Sequence, residues 1–451
     1  MKKIIAITTV FALMSTLFIA CGTSEQADTP PAGTAQDVQT STTQDTATST
    51  NRSITVTFGS HQSGLPVSGI EQELAREFEE LTGIKIDFQV TPDAQWRDLL
   101  SVKLNAGEAY DIMNVDADPL NIVSRINPEQ NCVDLSGEEW LSRIDSVVLP
   151  GVTVNDKVYG IQFAGTRKSM IVYNKQIFSD LGLAPPTTYD EWKHVCQVIL
   201  DAGITPIYEA TQNGWHQVLP LFETGSHYVT LYDDLYGKLN RNEMSVLDVK
   251  EIGIILEQMK EFAELGFFGE HFMSQSVEGA QEALATGQAV MFNIDTGWVN
   301  ELEQEYPETV GNFGIFAAPW ADNQTVSVNT TCNAFFISKD SPYVDEIKEY
   351  FNFLATPENL QKRLDGDPSQ ESLCWPEVES RAKPEFQSYF DSLPHGMVMQ
   401  VGVSYIDSQW MDVGKDIDAM YAGMMTPDEV FQNIAIRRDE MARLQRDPAW
   451  Q

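Results

Sequence analysis

The sequence is poor in cysteine, histidine and basic residues, and each shortage excludes a class of protein. Of 451 residues, five are cysteine and six are histidine, and they form no CxxC or HExxH motif. Zinc sites and dithiol redox chemistry are therefore disfavoured, and we expect no metal and no cofactor. Lys and Arg number 29 against 66 Asp and Glu, which gives a formal net charge of −37. Such acidity argues against binding of nucleic acid and against direct adhesion to anionic lipid.

Two sequence motifs of common enzymes are also missing. The chain has no GxSxG elbow of a serine hydrolase and no GxxxxGK loop for nucleotide phosphates. Beyond the first twenty residues, no uncharged run approaches the length of a transmembrane helix. These absences favour a protein that binds a ligand over these enzyme classes.

Apart from Cys21, the cysteines are widely separated along the chain. Cys132, Cys196, Cys332 and Cys374 could form two disulfides in an oxidising compartment. Buried free thiols are an equal alternative, because a chain of this length does not need covalent crosslinks. The sequence leaves both arrangements open.

The N-terminus has the pattern of an export signal. Lys2 and Lys3 precede an uncharged apolar run over residues 4–20, and a small residue stands directly before Cys21. Residues 18–21 resemble the bacterial lipobox, in which the cysteine is acylated and becomes the new N-terminus. Phe18 departs from that pattern, in which Leu is usual. We predict a signal peptide over 1–20 and a lipid such as palmitate on Cys21; a plain secretory signal is the alternative.

The next segment, residues 21–52, is predicted to be a disordered tether. It consists mainly of Thr, Ser, Gln, Ala and Asp and contains no aromatic residue. Such a segment cannot bury enough apolar surface to offset the loss of chain entropy. A flexible chain of this length spans roughly 30 Å. We therefore expect an extracytoplasmic protein that contacts the outer face of the cell membrane only through its N-terminal lipid.

The remaining body of about 400 residues is too long for one ordinary core and suggests two lobes. Residues 54–58 alternate like a strand, and residues 84–90 do the same after a helix that ends at Gly83. A second helix and a short apolar strand follow. This alternation predicts an α/β fold with parallel strands. The apolar face of the first predicted helix carries Ile70, Leu74, Phe78 and Leu81.

Helix-start signals punctuate the middle and the end of the body. Thr188 with Glu191 and Thr426 with Glu429 have the spacing of capping boxes. In such a box, the threonine and the glutamate satisfy backbone N–H groups of the first turn reciprocally. We expect a helix to begin at each threonine.

Several segments together resemble the family 1 extracellular solute-binding proteins, which include maltose-binding protein. The clearest lies within 158–192, which contains the sequences YNK and PPTTYDEW. Further matches occur over 203–206, 285–298 and 351–358, and the resemblance runs from about residue 54 to the C-terminus. It implies a two-lobed, periplasmic-binding-protein-like type II α/β fold with discontinuous lobes and a hinged interlobe cleft. The implied lobes are 53–163 with 297–364, and 164–296 with 365–451.

The resemblance also implies a function. Family members capture a sugar or oligosaccharide in the cleft and deliver it to the permease subunits of an ABC transporter. The lobes would close around the ligand by a hinge motion. On this interpretation the protein is a monomer and not an enzyme. Three alternatives stay open: a secreted glycoside hydrolase with a carboxylate pair, a sensor or adhesion protein of the same shape, and a non-sugar ligand.

Sugar recognition requires carboxylates and amides for the hydroxyls, and aromatic rings for the C–H faces. His61 and Gln62 follow the first predicted strand, and Asp116 and Asp118 follow the third, where the family binds its ligand. Arg167 lies at an interlobe crossing, where it would bind hydroxyls or a uronic carboxylate, or form a hinge salt bridge.

Four tryptophans complete the candidate ligand-binding residues. The family stacks an aromatic residue on sugar at the positions of Trp298 and Trp410, and Trp215 and Trp375 are weaker candidates. The other tryptophans considered lie in helical patterns and are assigned to the core: Trp96, Trp140 and Trp192.

Overall fold

A computed structural model describes residues 54–451 except Pro119, Asn121 and Cys332. The predicted signal peptide, the lipid on Cys21 and the tether therefore lie outside the described residues. Within the part that is described, no helix is both long enough and apolar enough to cross a bilayer.

The described body contains both strands and helices along its whole length. The strands are β1 (Ile54–His61), β2 (Ile84–Thr91), β3 (Ile112–Asp116), β4 (Thr153–Val154), β5 (Lys157–Val158), β6 (Gly160–Gln162), β7 (Ser169–Asn174), β8 (Thr205–Tyr208), β9 (Ala289–Asp295), β10 (Phe313–Phe316), β11 (Val326–Val328), β12 (Asn333–Ile337) and β13 (His395–Met397).

The α-helices are α1 (Ile70–Thr82), α2 (Asp93–Ala106), α3 (Ile122–Ile126), α4 (Pro128–Asn131), α5 (Lys175–Asp180), α6 (Tyr189–Asp201), α7 (Leu219–Phe222), α8 (Gly225–Leu231), α9 (Leu235–Asn240), α10 (Lys250–Glu264), α11 (Ala280–Ala285), α12 (Trp298–Glu305), α13 (Val344–Leu354), α14 (Pro357–Gly366), α15 (Pro384–Asp391), α16 (Met399–Gly402), α17 (Trp410–Tyr421) and α18 (Pro427–Leu444). Short 3-10 turns, one of them at Asp407–Gln409, connect these elements.

The first sheet has five strands in the order β2-β1-β3-β12-β6. Its strands β1, β2 and β3 are parallel and are joined by α1 and α2, whereas β12 is antiparallel to β3 and to β6. The second sheet has the order β10-β7-β9-β8, with β8 parallel to β9 and with β7 antiparallel to both β9 and β10. The predicted α/β class is thereby confirmed.

Each sheet has its own apolar core, and these cores define two lobes. In the first lobe, Phe58, Ile112 and Phe335 are at most 1% exposed. In the second lobe, Trp192 and Phe262 are fully buried.

The end of helix α1 follows from its sequence. Gly83 adopts a left-handed φ of 76° directly after the helix, a conformation that glycine reaches without steric cost.

The strand pairing corrects the expected lobe boundaries at 297 and at 365. Strand β10 pairs with β7 in the second sheet, and Trp298 packs on Phe292, so the chain from α12 to β11 belongs to the second lobe. Conversely, Trp375 lies in the core of the first lobe beside Phe163. The first lobe therefore comprises 54–163 and 333–378, and the second lobe comprises 169–328 and 384–451.

Buried thiols are found where two disulfides were one alternative. Cys132 and Cys196 are free and buried, so an arrangement that pairs all four cysteines is wrong. Burial raises the pKa of Cys132 to about 12, which keeps its thiol protonated and unreactive. Cys374 is also buried, and its Sγ donates a hydrogen bond to the Gln162 carbonyl at 3.3 Å.

Candidate functional site

The two lobes enclose a cavity of about 380 Å³, a volume within the range of small-molecule binding sites. We call this cavity the cleft. Strand ends of both sheets meet there, because His61 ends β1, Asp116 ends β3, and Asn333 begins the antiparallel β12 opposite Asp116. From the second sheet, Ser169 begins β7 and Asp295 ends the antiparallel β9 beside it.

The structure places six of the nine predicted ligand-binding residues in the lining of the cleft. These six are His61, Asp116, Arg167, Trp215, Trp298 and Trp410. Their contact with a ligand stays a prediction, but their convergence from distant parts of the chain defines one candidate site.

The other three predicted residues lie outside the cleft lining. Gln62 is exposed in the turn after β1. Asp118 is fully buried, and its Oδ1 accepts the Leu120 N–H at 2.8 Å, so it supports the turn before α3. Trp375 is fully buried in the core of the first lobe, and its Nε1 donates to the Gln162 carbonyl at 3.0 Å. Its prediction as a stacking residue is wrong, because its ring has no surface to offer a ligand.

The wall of the cleft that the first lobe forms is polar and ionic. His61 Nε2 lies 2.8 Å from Asn333 Oδ1 and 3.8 Å from Asp116 Oδ1, and its Nδ1 lies 3.4 Å from Asp93 Oδ1. Burial lowers the pKa of His61, but the hydrogen bond to Asp93 and the charge of Asp116 outweigh burial, so the pKa lies above its ordinary value.

Two arginines of the first lobe meet one aspartate of the second lobe at one side of the cleft. Arg97 Nη2 lies 3.2 Å from Asp407 Oδ2, and Arg97 Nη1 donates to the Asp407 carbonyl at 3.0 Å. Arg125 contacts the same carboxylate, and it donates through Nη1 to the Asp116 carbonyl at 2.5 Å. We call Arg97, Arg125, Asp116 and Asp407 the cross-lobe ion cluster.

Within the cross-lobe ion cluster, Asp116 is held as a carboxylate. Its side chain lies 4.0 Å from Arg97 and 3.9 Å from Arg125. Burial alone would raise the pKa of Asp116, but the charges of His61, Arg125 and Arg97 outweigh burial and lower the pKa to about 2. The carboxylate is therefore a fixed acceptor at neutral pH.

The wall that the second lobe forms carries three tryptophans in addition to its carboxylates. Trp298 is 6% exposed and packs on Phe292, and Trp410 is 8% exposed with its Nε1 donating to the Trp215 carbonyl at 2.9 Å. Trp215 itself is only partly buried. Among the three tryptophans of the cleft lining, Trp215, a weaker candidate from the sequence, has the most accessible side chain, and the ranking of their ligand contacts stays a prediction.

The floor of the cleft carries a buried carboxylate. Asn329 Nδ2 and Gln400 Nε2 donate to Glu223 Oε1 at 3.2 and 3.1 Å. Burial and the charge of Asp295 raise the pKa of Glu223. The second oxygen, Glu223 Oε2, is buried and has no hydrogen-bond partner among the described residues.

Three further buried polar atoms, on residues that line the cleft, share this condition within the described chain. They are Trp215 Nε1, Thr331 Oγ1 and Gln400 Oε1. A buried polar group without a partner loses about 1–3 kcal/mol relative to a satisfied one, so such groups are rare in native folds. We call these three atoms and Glu223 Oε2 the orphan groups.

Arg167 joins the two lobes at a crossing of the chain. Its backbone exchanges hydrogen bonds with Asn329 at 2.9 and 2.8 Å, and its Nη2 donates to the Thr331 carbonyl at 3.0 Å. Its Nη1 lies 3.5 Å from Asp295 Oδ2. The salt bridge considered for Arg167 is therefore present, and contact of Arg167 with a ligand stays a prediction.

Sequence reasoning missed several residues of the cleft. Asn329 and Thr331 lie in a polar run before β12, a signal that resembles the polar residues after β1 and β3 and was available. Glu223 and Asp407 gave no signal, because they are two of 66 acidic residues and neither follows a strand. Metal binding receives no support from the described residues, which hold no group of three or more His, Cys, Asp or Glu placed around one ion.

Comparison with known proteins identifies the class of this chain. The sequence profile of the bacterial extracellular solute-binding proteins matches residues 64–361, and the chain belongs to this family. The resemblance inferred from the sequence is thereby confirmed.

Individual relatives are distant. The multiple sugar-binding protein of Streptococcus mutans is 24% identical over 305 residues, which cover 66% of this chain and 70% of the relative. The osmoprotective compounds-binding protein GgtB of Synechocystis is 28% identical over 154 residues, which cover 32% of this chain and 35% of the relative.

Solved structures confirm the two-lobed fold. A sugar transporter of Bacillus licheniformis in complex with stachyose is similar with a TM-score of 0.69 and 19% identity, covering 85% of this chain and 99% of that one. An ABC transporter solute-binding protein of Thermotoga lettingae bound to α-D-tagatose has a TM-score of 0.65 and 18% identity, covering 86% of this chain and 99% of that one.

Proposed function

We propose that this protein captures a neutral sugar or oligosaccharide in the cleft and delivers it to an ABC importer without chemical turnover. The observation that carries the proposal is the combination of a partly exposed tryptophan ring, Trp215, with four orphan groups on residues that line one interlobe cavity. The ring offers a surface for the C–H face of a sugar, and the orphan groups offer partners for its hydroxyls.

The orphan groups also provide selectivity. A ligand that lacks a matching hydroxyl leaves a buried polar atom unpaired, and this penalty discriminates more strongly than the loss of an apolar contact. Of these atoms, Glu223 Oε2 should discriminate most strongly between ligands, because Asn329 and Gln400 already occupy the other oxygen and fix the carboxyl group.

A neutral ligand is favoured by the charges of the lining. Both arginines that line the cleft are ion-paired, Arg97 with Asp407 and Arg167 with Asp295. Five carboxylates share the same cavity: Asp93, Asp116, Glu223, Asp295 and Asp407. A uronate or a phosphate would meet this excess of negative charge.

Delivery to an importer would follow from closure of the lobes. A ligand that contacts the ionic wall of one lobe and the aromatic wall of the other binds the closed form better, and therefore shifts the hinge equilibrium toward it. The names of the relatives support this role, since one is a sugar-binding protein and another structure is an ABC transporter solute-binding protein. The permease would read the closed form of a monomer.

A binding screen with the purified protein tests the ligand class. Neutral mono- and oligosaccharides, uronates, polyols and short peptides are compared by thermal shift and then by calorimetry. A true ligand at a hundred times its dissociation constant stabilises the fold by about 2.7 kcal/mol. We expect stabilisation by a neutral saccharide; stabilisation by peptides or polyols alone would contradict the proposal. Chromatography of the recovered saccharide must show no cleavage, since cleavage would establish the glycoside hydrolase alternative.

The membrane anchor is proposed from the sequence alone. We infer that Cys21 carries a lipid that holds the protein at the outer face of the cell membrane. Cells grown with labelled palmitate should incorporate the label into the wild-type protein and not into Cys21→Ser. Equal labelling of both proteins, or of neither, would contradict acylation at this cysteine.

A further inference from the structure

A second cavity of about 260 Å³ adjoins the cleft. It lies between α2 and α3 of the first lobe and the segment around Tyr405 and α18 of the second lobe. Apolar surface comes from Leu100, Met441 and Leu444. Trp96, Arg97 and Asp116 line both cavities, so the two spaces are neighbours with a shared boundary.

In the cross-lobe ion cluster, Arg97 and Asp116 line both cavities, whereas Asp407 lines only the cleft and Arg125 lines only the second cavity. Asp407 reaches from the second lobe to two arginines of the first lobe, and its carboxylate is 11% exposed. Arg97 contacts both the carboxylate and the backbone carbonyl of Asp407, so two separate contacts hold the Arg97 side chain in place. Displacing it would leave charged groups with poorer partners in a partly buried setting.

We propose that the Arg97–Asp407 pair is an end wall of the cleft that limits the length of the bound saccharide. The inference rests on the proposed function. A short saccharide fits in front of the pair and keeps the pair intact. A longer one would have to separate the pair in order to enter the second cavity, and hydroxyl groups replace a charge-assisted hydrogen bond only weakly. Arg97 and Asp407 are thus determinants of specificity.

The second cavity would provide space for a longer ligand if the Arg97–Asp407 pair were removed. The partly buried Met441 and the exposed Leu444 offer apolar surface to a further sugar unit. Loss of the Asp407 carboxylate would join the two cavities into one longer groove. The length preference of the protein would then change without any change in the residues that bind the first sugar unit.

The test compares wild type with Asp407→Ala and Asp407→Asn. Both variants lose the cross-lobe charge, but asparagine keeps the bulk of the wall and alanine removes it. Calorimetry uses series that differ only in length: sucrose, raffinose and stachyose, and malto-, xylo- and chito-oligosaccharides of one to five units. The measured quantity is the ratio of the dissociation constants of long and short members within the series that binds.

We expect wild type to bind short members at least about tenfold more tightly than members too long for the cleft. In Asp407→Ala this ratio should shift by about tenfold or more toward long members. In Asp407→Asn it should stay within about threefold of wild type, although both variants bind every member more weakly.

Three results would overturn the inference. Wild type binding all lengths equally would do so, as would an unchanged ratio in Asp407→Ala or the same shift in both variants. Binding with any of these patterns leaves the proposed function standing. Failure of every saccharide to bind all three proteins would overturn the proposed function and the inference with it. If the Asp407 variants do not fold, Arg97→Ala against Arg97→Gln makes the same comparison from the first lobe.

Discussion

The two walls of the cleft differ in chemistry and in what holds them. The wall of the first lobe is built from charged and polar groups at strand ends, with His61 and Asn333 2.8 Å apart and Asp116 next to both. The wall of the second lobe adds to its carboxylates three tryptophans, two of which are more than nine-tenths buried. The ionic wall therefore depends on charge pairing, and the aromatic wall depends on packing.

Because of this difference, a substitution that removes a side chain should have different consequences on the two walls of the cleft. Removing an aromatic ring removes core volume as well as a ligand contact, whereas removing a charge leaves the core intact. Stability and affinity should consequently separate on the ionic wall and at Trp215, and should fall together at Trp298.

The largest expected effect is on stability, at Trp298. Trp298→Ala should lower the free energy of unfolding by about 3–5 kcal/mol, because the ring is 6% exposed and packs on Phe292. Chemical denaturation without ligand measures this. Trp375→Ala is the matched control: it should cost as much stability, but it should leave saccharide affinity unchanged since Trp375 is outside the cleft lining. Full stability of Trp298→Ala would contradict the assignment of the ring to the core.

The next effect is on affinity, at Trp215. Trp215→Ala should weaken saccharide binding by about 2 kcal/mol with little loss of stability, because the ring is only partly buried. Calorimetry measures the affinity, and Trp215→Phe should restore most of it by keeping an aromatic face. Equal affinities of the alanine and phenylalanine variants would mean that stacking on an aromatic face at this position does not contribute to binding.

A smaller loss of affinity is expected at the floor of the cleft. Glu223→Gln should weaken binding by about 1.5 kcal/mol, because an amide replaces a carboxyl oxygen that has no partner in the described chain. Glu358→Gln, an exposed surface change on α14, is the control. Stronger binding of the saccharide to Glu223→Gln than to wild type would mean that the ligand accepts at this position and does not donate.

The smallest effect is a pH dependence of stability on the ionic wall. The pKa of Asp116 is lowered from 3.8 to about 2, so its stabilising contribution is present above pH 3.8 and disappears as the pH falls through 2. We expect the contribution to be about 1 kcal/mol, because solvent screens this partly exposed carboxylate. Asp116→Asn should be less stable than wild type at pH 6 and should converge with it near pH 2. A constant difference at every pH would assign the effect to packing.

Much of the fold follows from local patterns in the sequence. Gly83 ends α1 as predicted, and the Thr426–Glu429 capping box forms in full, with both reciprocal hydrogen bonds present. The box at Thr188 forms only in part: Thr188 caps α6, but the Glu191 carboxylate bonds Thr187 instead. Leu81 is 70% exposed, because α1 turns that position away from the core. Helix caps therefore depend on residues nearby in the sequence, whereas the burial of a helix face depends on tertiary packing.

The site could be predicted where topology alone brings residues together. His61 and Asp116 end parallel strands, and parallel strand ends meet at one sheet edge, so both lie in the cleft. Glu223 and Asp407 could not be predicted, because their positions depend on how distant segments pack. Trp375 was misplaced for the same reason, since a tryptophan beside a proline looks alike in a core and in a binding site.

The most direct test of the account is a crystal structure of the protein with the neutral saccharide that binds most tightly. We predict one sugar ring on the face of Trp215, a hydroxyl hydrogen-bonded to Glu223, and contacts from the same ligand to His61 or Asn333 across the cleft. A saccharide bound outside the cleft, or one held by a single lobe, would contradict capture between an ionic and an aromatic wall.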